Sequence, residues 1–236
     1  MRILFALLAA ASFLSSCATD PWGIPGPADT VTAADAIATA HTYSALTWMP
    51  ETRHIKHGPD ERGILVHTPD QSLNQRGFAN GWWKPGTEAR GMAYQWGGFD
   101  TPREFLRSLE EGEFAGDIST SAKRRLGDSG TSESACGIDC SGFVSRCWRL
   151  PKPYSTRQLP SICVRLKSWL QLAPGDILLN DKHVLLFAGW DSTRPGCILA
   201  YEAGPFPVWR VNAASIPTSK LERENYAPWR YRGMRP

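Results

Sequence analysis

The residues of this chain best equipped for covalent chemistry are one cysteine and one histidine. Cys140 lies in Gly137-Ile138-Asp139-Cys140-Ser141-Gly142-Phe143-Val144, where a helix is predicted to begin with Phe143, Val144, Cys147 and Trp148 on its buried face. A cysteine at a helix N-terminus sits at the positive end of the helix dipole, among backbone N–H groups that have no partner within the helix. Both effects favour the thiolate, which is the nucleophilic form. The same N–H groups can hold the oxyanion that forms when a carbonyl is attacked. Taken alone, Cys140 could equally be a half-cystine that begins a helix. His183 changes that balance: it is the only histidine downstream, 43 residues on, and it opens a strand after a turn. A neutral imidazole there would take the thiol proton and later protonate a leaving amine. The following strand, Ile198-Leu199-Ala200-Tyr201-Glu202-Ala203, can pair with the His183 strand as a hairpin, and Glu202 is the polar group best placed to orient the imidazole.

Such a pair needs elements to position it. Thr32 and Asp35 have the spacing of a capping box, and Ala34, Ile37, Ala38, His41, Ala45 and Leu46 form a helical apolar stripe with His41 at the core edge. Pro50 to Gly91 is turn-rich, with one strand candidate at Gly63-Ile64-Leu65-Val66-His67. His54, His57 and His67 lack the helical pattern and acidic partner that a zinc site would require. Thr101-Pro102-Arg103-Glu104 opens a second helix with a cap, a Pro at its first position and a Glu at its third, and Gly112 closes it. Residues 113 to 135 run polar and small and read as a surface excursion. A third helix begins at Cys140, and a fourth is expected from Leu159 to Leu170. After the Pro174-Gly175-Asp176 turn come short strands at 177–179, 183–188, 197–203 and 208–211, then one near Tyr231. A helical half followed by a strand-rich half predicts an α+β fold with helices packed on an antiparallel sheet.

The 236 residues are 42% hydrophobic and 21% charged, which supplies a core and excludes disorder along the whole chain. No apolar run reaches the length of a spanning helix, so an integral membrane bundle is excluded. A net charge of +3, dispersed, does not point to nucleic acid. At the start, Arg2 precedes the apolar stretch Ile3 to Ala11 and then small residues, the layout of a secretory signal peptide. It ends in Leu14-Ser15-Ser16-Cys17, which resembles the bacterial lipobox. That resemblance makes 1–16 a lipoprotein signal peptide, Cys17 the lipidated residue and 17–29 a Pro- and Gly-rich tether. In an exported chain Cys136, Cys147, Cys163 and Cys197 could form two disulfides in three possible pairings. Cys147 could equally be a core thiol, and Cys136 a redox partner of Cys140.

Four blocks, in order, resemble the NlpC family of bacterial cell-wall cysteine endopeptidases, part of the papain-like superfamily. They are Tyr94-Gln95-Trp96-Gly97-Gly98, Asp139-Cys140-Ser141-Gly142-Phe143-Val144, Leu172-Ala173-Pro174-Gly175-Asp176-Ile177, and His183-Val184 with Phe187-Ala188-Gly189. Together they cover residues 91 to 204. The resemblance implies a papain-like fold, Cys140 as nucleophile, His183 as base, and Tyr94 as a hydroxyl near the oxyanion. The family's third polar residue is most often His, Asn or Gln on the strand after the histidine. This sequence offers Tyr201 and Glu202 there, and a Glu202 carboxylate suits the role. Asp139 reads as the helix cap. Tyr94 and Cys140 stand 46 residues apart, farther than the family's usual spacing, so 99–135 reads as an insertion that could wall the substrate groove.

The sequence therefore divides into a 30–88 helical and turn-rich segment and an 89–236 catalytic domain. The expected activity is hydrolysis of amide bonds in peptidoglycan stem peptides through a thioester, by a monomer held at the envelope by lipid, with no metal or organic cofactor. Two alternatives stand beside it. One is an amidase or acyltransferase of the same fold acting on another envelope molecule. The other is a non-enzymatic lipoprotein that binds the wall through Trp82, Trp83 and Trp96.

Overall fold

The computed structural model describes residues 22–78, 80–204 and 207–235. Residues 1–21, on which the expected signal peptide, the lipidated Cys17 and the start of the expected tether fall, lie outside the described residues. A six-stranded antiparallel sheet organises the rest: β1 (Cys163–Arg165), β2 (Ile177–Leu179), β3 (Val184–Trp190), β4 (Cys197–Ala203), β5 (Val211–Pro217) and β6 (Ala227–Tyr231), in the order β5-β4-β3-β2-β6-β1. Five helices of six residues or more accompany it: α1 (Ala33–Ala45), α2 (Pro102–Glu111), α3 (Ser121–Leu126), α4 (Cys140–Cys147) and α5 (Thr218–Arg223). The fold is α+β, as the order of patterns predicts.

Alternation along β3 shows how the sheet is used. Val184 and Leu186 face the main core, which contains Phe143, Val144 and Cys147 of α4 and Ala36, Ala40 and Tyr43 of α1. Leu185 and Phe187 face a second cluster with Ile198, Ala200, Leu221 and Tyr226. Burial on both faces explains why 184–187 is a continuous apolar run rather than an alternating one. The main core also takes in Trp48, Leu73, Trp83 and Ala89, so the segment from 30 to 88 shares it.

The helix caps fall where the sequence indicates. At α1, however, the Thr32 hydroxyl, and not its backbone N–H, donates to the Asp35 carboxylate, so the reciprocal box expected there does not form. Thr32 accepts the Asp35 N–H, Thr101 and Glu104 form a reciprocal capping box, and Gly112 closes α2 at φ 94°, a conformation that glycine adopts without strain. Other expectations are corrected. The buried face of α1 is Ala36, Thr39, Ala40 and Tyr43, and His41 is exposed. Tyr43 sets that face: it packs edge-on against Phe143 and donates to the Asp100 carbonyl. The helix expected over 159–170 is a 3-10 turn (Leu159–Ile162), strand β1, and another 3-10 turn (Trp169–Gln171). Pairing of β1 with β6, remote in sequence, overrides the local apolar spacing. Strand β5 begins where the fourth strand was expected to end and runs to Pro217. Cys136, Cys147, Cys163 and Cys197 are buried and unbonded, each on a different element, so the disulfide pairings do not form.

Nor is 113–135 a surface excursion. Its ends are tied by a parallel pairing of Phe114–Ala115 with Ala135–Cys136, and Ala115, Asp117, Ile118 and Lys123 are buried. Lys123 donates to the Gly130 carbonyl at 2.9 Å and pairs with the Asp117 carboxylate at 2.5 Å. The exposed residues are confined mainly to α3 and the turn after it, and the Asp117–Lys123 pair ties that projection to the interior.

Candidate active site

Cys140 is the first residue of α4, and Asp139 caps it. The Asp139 carboxylate accepts the Gly142 N–H at 2.6 Å and the Ser141 hydroxyl at 2.9 Å. Burial raises the pKa of Asp139, and these bonds oppose the rise. With its oxygens engaged in this way, Asp139 is a cap. Phe143 N–H reaches the Asp139 carbonyl, whereas the N–H of Cys140 itself has no acceptor among the described residues. It is the donor left at the helix start for an incoming oxygen.

Two glycines bring the tyrosine block beside the nucleophile block. A Cβ on Gly142 would lie 2.3 Å from the Gly98 carbonyl oxygen, and that same oxygen accepts the Asp139 N–H at 3.1 Å. Ile138 N–H bonds the Ala93 carbonyl and Gln95 N–H bonds the Ile138 carbonyl, so 93–95 runs alongside 138. Tyr94 is thereby fixed near the thiol although 46 residues separate them. It is buried against the Trp209 ring at 5.3 Å, with Ser119 beside it. Burial first, and then the neighbouring Cys140 and Asp139 charges, push the Tyr94 pKa up, so the phenol keeps its proton. Trp209 holds a left-handed backbone at φ 52°, and its carbonyl accepts both the Tyr94 N–H at 3.0 Å and the Trp82 indole N–H at 2.9 Å.

His183 is set by a tight turn and a hairpin. The Asn180 side-chain oxygen accepts the His183 N–H at 2.8 Å, and Asn180 N–H returns a bond to the His183 carbonyl at 3.1 Å. The β3–β4 register, with Leu186 opposite Tyr201, carries Glu202 back to the imidazole, where Oε2 lies 2.6 Å from Nε2. Tyr201 packs instead with the main core. Cys140 is close enough to act on the ring electrostatically. With Nε2 committed to Glu202, Nδ1, buried and without a hydrogen-bond partner, is the nitrogen left for the thiol. Burial would lower the His183 pKa. The thiolate of Cys140 and the carboxylate of Glu202 outweigh it and push it up to about 10. The imidazole is therefore held in its protonated form, whereas the sequence reading began from a neutral imidazole.

Four candidates, Cys140, His183, Glu202 and Tyr94, thus converge. Three further residues were not singled out in the sequence. Tyr226 presents its ring edge-on to His183 at 6.5 Å and 87°, with Asn180 nearby. Burial and the nearby Glu202 charge raise its pKa. With Ser119, which lies beside Tyr94, and Asn180, it lies outside the four blocks; only the tight turn before His183 could have pointed to Asn180.

His54, His57 and His67 serve elsewhere. His54 is bonded to the Leu109 carbonyl at 3.0 Å and accepts the Glu51 N–H. His57 meets Asp70 at 2.9 Å and stacks on His67. Among the described residues no group of three His, Cys, Asp or Glu side chains is placed to hold a metal ion. Compared with known proteins, the chain matches no family model, no curated protein and no solved structure.

Proposed function

We propose that this chain is a papain-like cysteine hydrolase that cleaves amide bonds through a thioester, and that its substrates are peptidoglycan stem peptides. The observation that carries the chemistry is the line Cys140, His183, Glu202: a nucleophile at a helix start, an imidazole beside it, and a carboxylate 2.6 Å from the far ring nitrogen. The four-block resemblance to the NlpC family supports the substrate class, and the lipobox-like Cys17 supports attachment to the envelope.

In the reaction, the Cys140 sulfur attacks the amide carbonyl and forms a C–S bond. The carbonyl electrons move to oxygen, where the Cys140 N–H and the end of α4 receive the charge. The His183 imidazolium gives its Nδ1 proton to the departing nitrogen, the C–N bond breaks, and the amine leaves. Neutral His183 then takes a proton from water as the hydroxide adds to the thioester. Collapse of that second adduct releases a carboxylic acid and restores the thiolate. Glu202 keeps the ring oriented and stabilises its charge throughout.

Mass analysis of muropeptide digests tests the reading. Wild-type protein is expected to convert crosslinked or full-length stems to shorter fragments with one water added per cut, and Cys140→Ala to leave them intact. Intact muropeptides together with turnover of another acyl donor would assign the site to a different envelope substrate.

A further inference from the structure

The proposal above leaves one cavity unused. It has a volume of about 510 Å³ and lies at the sheet edge between β1, the 3-10 turn at Trp169 and the start of β6. That volume is ample for a small ligand. Tyr226 is part of its wall, and the same Tyr226 ring lies edge-on to His183. One aromatic ring thus separates the cavity from the imidazole. Its lining is unusual in charge: Arg165 and Lys167 line it, and no Asp or Glu does. Neither cation has a carboxylate in ion-pair reach among the described residues. The Arg165 guanidinium leans on the Trp229 ring at 5.9 Å, which fixes it over an apolar surface. Trp169 and Pro228 supply further apolar wall, and the Ser168 hydroxyl caps the turn.

Which half of a substrate would lie here follows from the proton path. The departing nitrogen must come within hydrogen-bond reach of His183, because that ring supplies its proton. Space on the His183 side of the site therefore belongs to the leaving amine and not to the acyl group. Arg165 and Lys167 are both exposed at the cavity's rim with no carboxylate beside them, so they suit a negative group on that half. We infer that this cavity is the subsite for the leaving portion of the substrate, and that the portion it takes is a short peptide or amino acid ending in a free carboxylate, held by Arg165 and Lys167. This assignment rests on the cysteine-hydrolase reading for its orientation. The carboxylate preference rests on the cavity alone.

Binding and turnover separate the two. The Cys140→Ala protein is titrated by calorimetry with alanyl-alanine in both enantiomers, each as free acid and as C-terminal amide. At least one free acid is expected to bind five times or more tighter than its amide. Arg165→Gln/Lys167→Gln in the same background is expected to bring that ratio close to one. Acid and amide that bind alike, or a preference that survives the double substitution, would overturn the subsite. In parallel, an N-acylated dipeptide is offered to the Cys140-containing protein as acid and as amide. An acid preference in turnover that disappears with the double substitution supports the orientation as well. Acid-selective binding without any Cys140-dependent turnover would keep the carboxylate site and reject the hydrolase reading.

Discussion

The Nε2 of His183 and the Oε2 of Glu202 meet at 2.6 Å because one hairpin register places Leu186 opposite Tyr201, which returns residue 202 to the strand's start. The bond has two consequences. It leaves Nδ1 as the nitrogen available to Cys140, and it helps raise the His183 pKa to about 10 against the effect of burial. The working form needs an imidazolium, so activity falls as pH rises through the His183 pKa.

Glu202→Gln keeps the shape and removes the charge. We expect kcat/KM to fall on the order of 10² to 10⁴-fold, and the alkaline limb of its pH profile to move to lower pH, because two of the causes that raise the His183 pKa are weakened. A limb that stays in place would show that Glu202 does not hold the imidazolium.

Tyr94→Phe removes one hydroxyl and keeps the ring against Trp209. If that hydroxyl assists the oxyanion, kcat drops by about 10²-fold with KM changed little. Steady-state kinetics beside a thermal melt read the effect. An unchanged kcat with a lower Tm would assign Tyr94 to packing.

Gly142→Ala puts a methyl group 2.3 Å from the Gly98 carbonyl, with backbone on both sides. Overpacking of this kind costs about 1–3 kcal/mol, and separating the two blocks also displaces Tyr94 from the thiol. A chemical denaturation curve and the thiol reactivity of Cys140 should both change. A variant as stable and as reactive as wild type would show that the approach is not tight.

The Asp117–Lys123 pair predicts a non-additive cycle. Burial pushes the Asp117 carboxyl up to about 7, and Lys123 opposes that shift. Lys123→Met alone strands the acid and Asp117→Asn alone strands the ammonium, each at a cost of about 3–5 kcal/mol. The double variant should recover much of that loss. Denaturation midpoints that simply add would contradict the pairing. Because Asp117 N–H bonds the Tyr94 carbonyl and its own carbonyl accepts the Trp96 N–H, the single variants should slow Cys140 chemistry as well.

What could be read in the sequence was the chemistry written locally. Thr101 with Glu104, Gly112, and Asp139 before Cys140 each declare a helix end through a side chain that satisfies nearby backbone. The His183–Glu202 contact was accessible too, because a single hairpin joins the two strands. Pairings between distant segments were not. Nothing near Cys163 announces that it will pair with Tyr231, so an apolar spacing was taken for a helix. Tyr226 reaches His183 only after the α5 segment has folded back and β6 has entered between β1 and β2. The buried face of α1 was misplaced by one step around the helix because Ala and Thr occur on every side of it. Tyr43, the largest residue there, proved the better guide.

The central claim, that Cys140 is a nucleophile activated by His183, is tested most directly by its alkylation rate. Iodoacetamide labelling of each cysteine, followed by peptide mass mapping from pH 5 to 9, should show Cys140 reacting near neutrality faster than a free small-molecule thiol and faster than Cys136, Cys147, Cys163 and Cys197. Of these, Cys197 is as accessible as Cys140 and serves as the internal control. His183→Ala should abolish that advantage. A Cys140 no faster than the free thiol at neutral pH, or one indifferent to His183, would contradict the account.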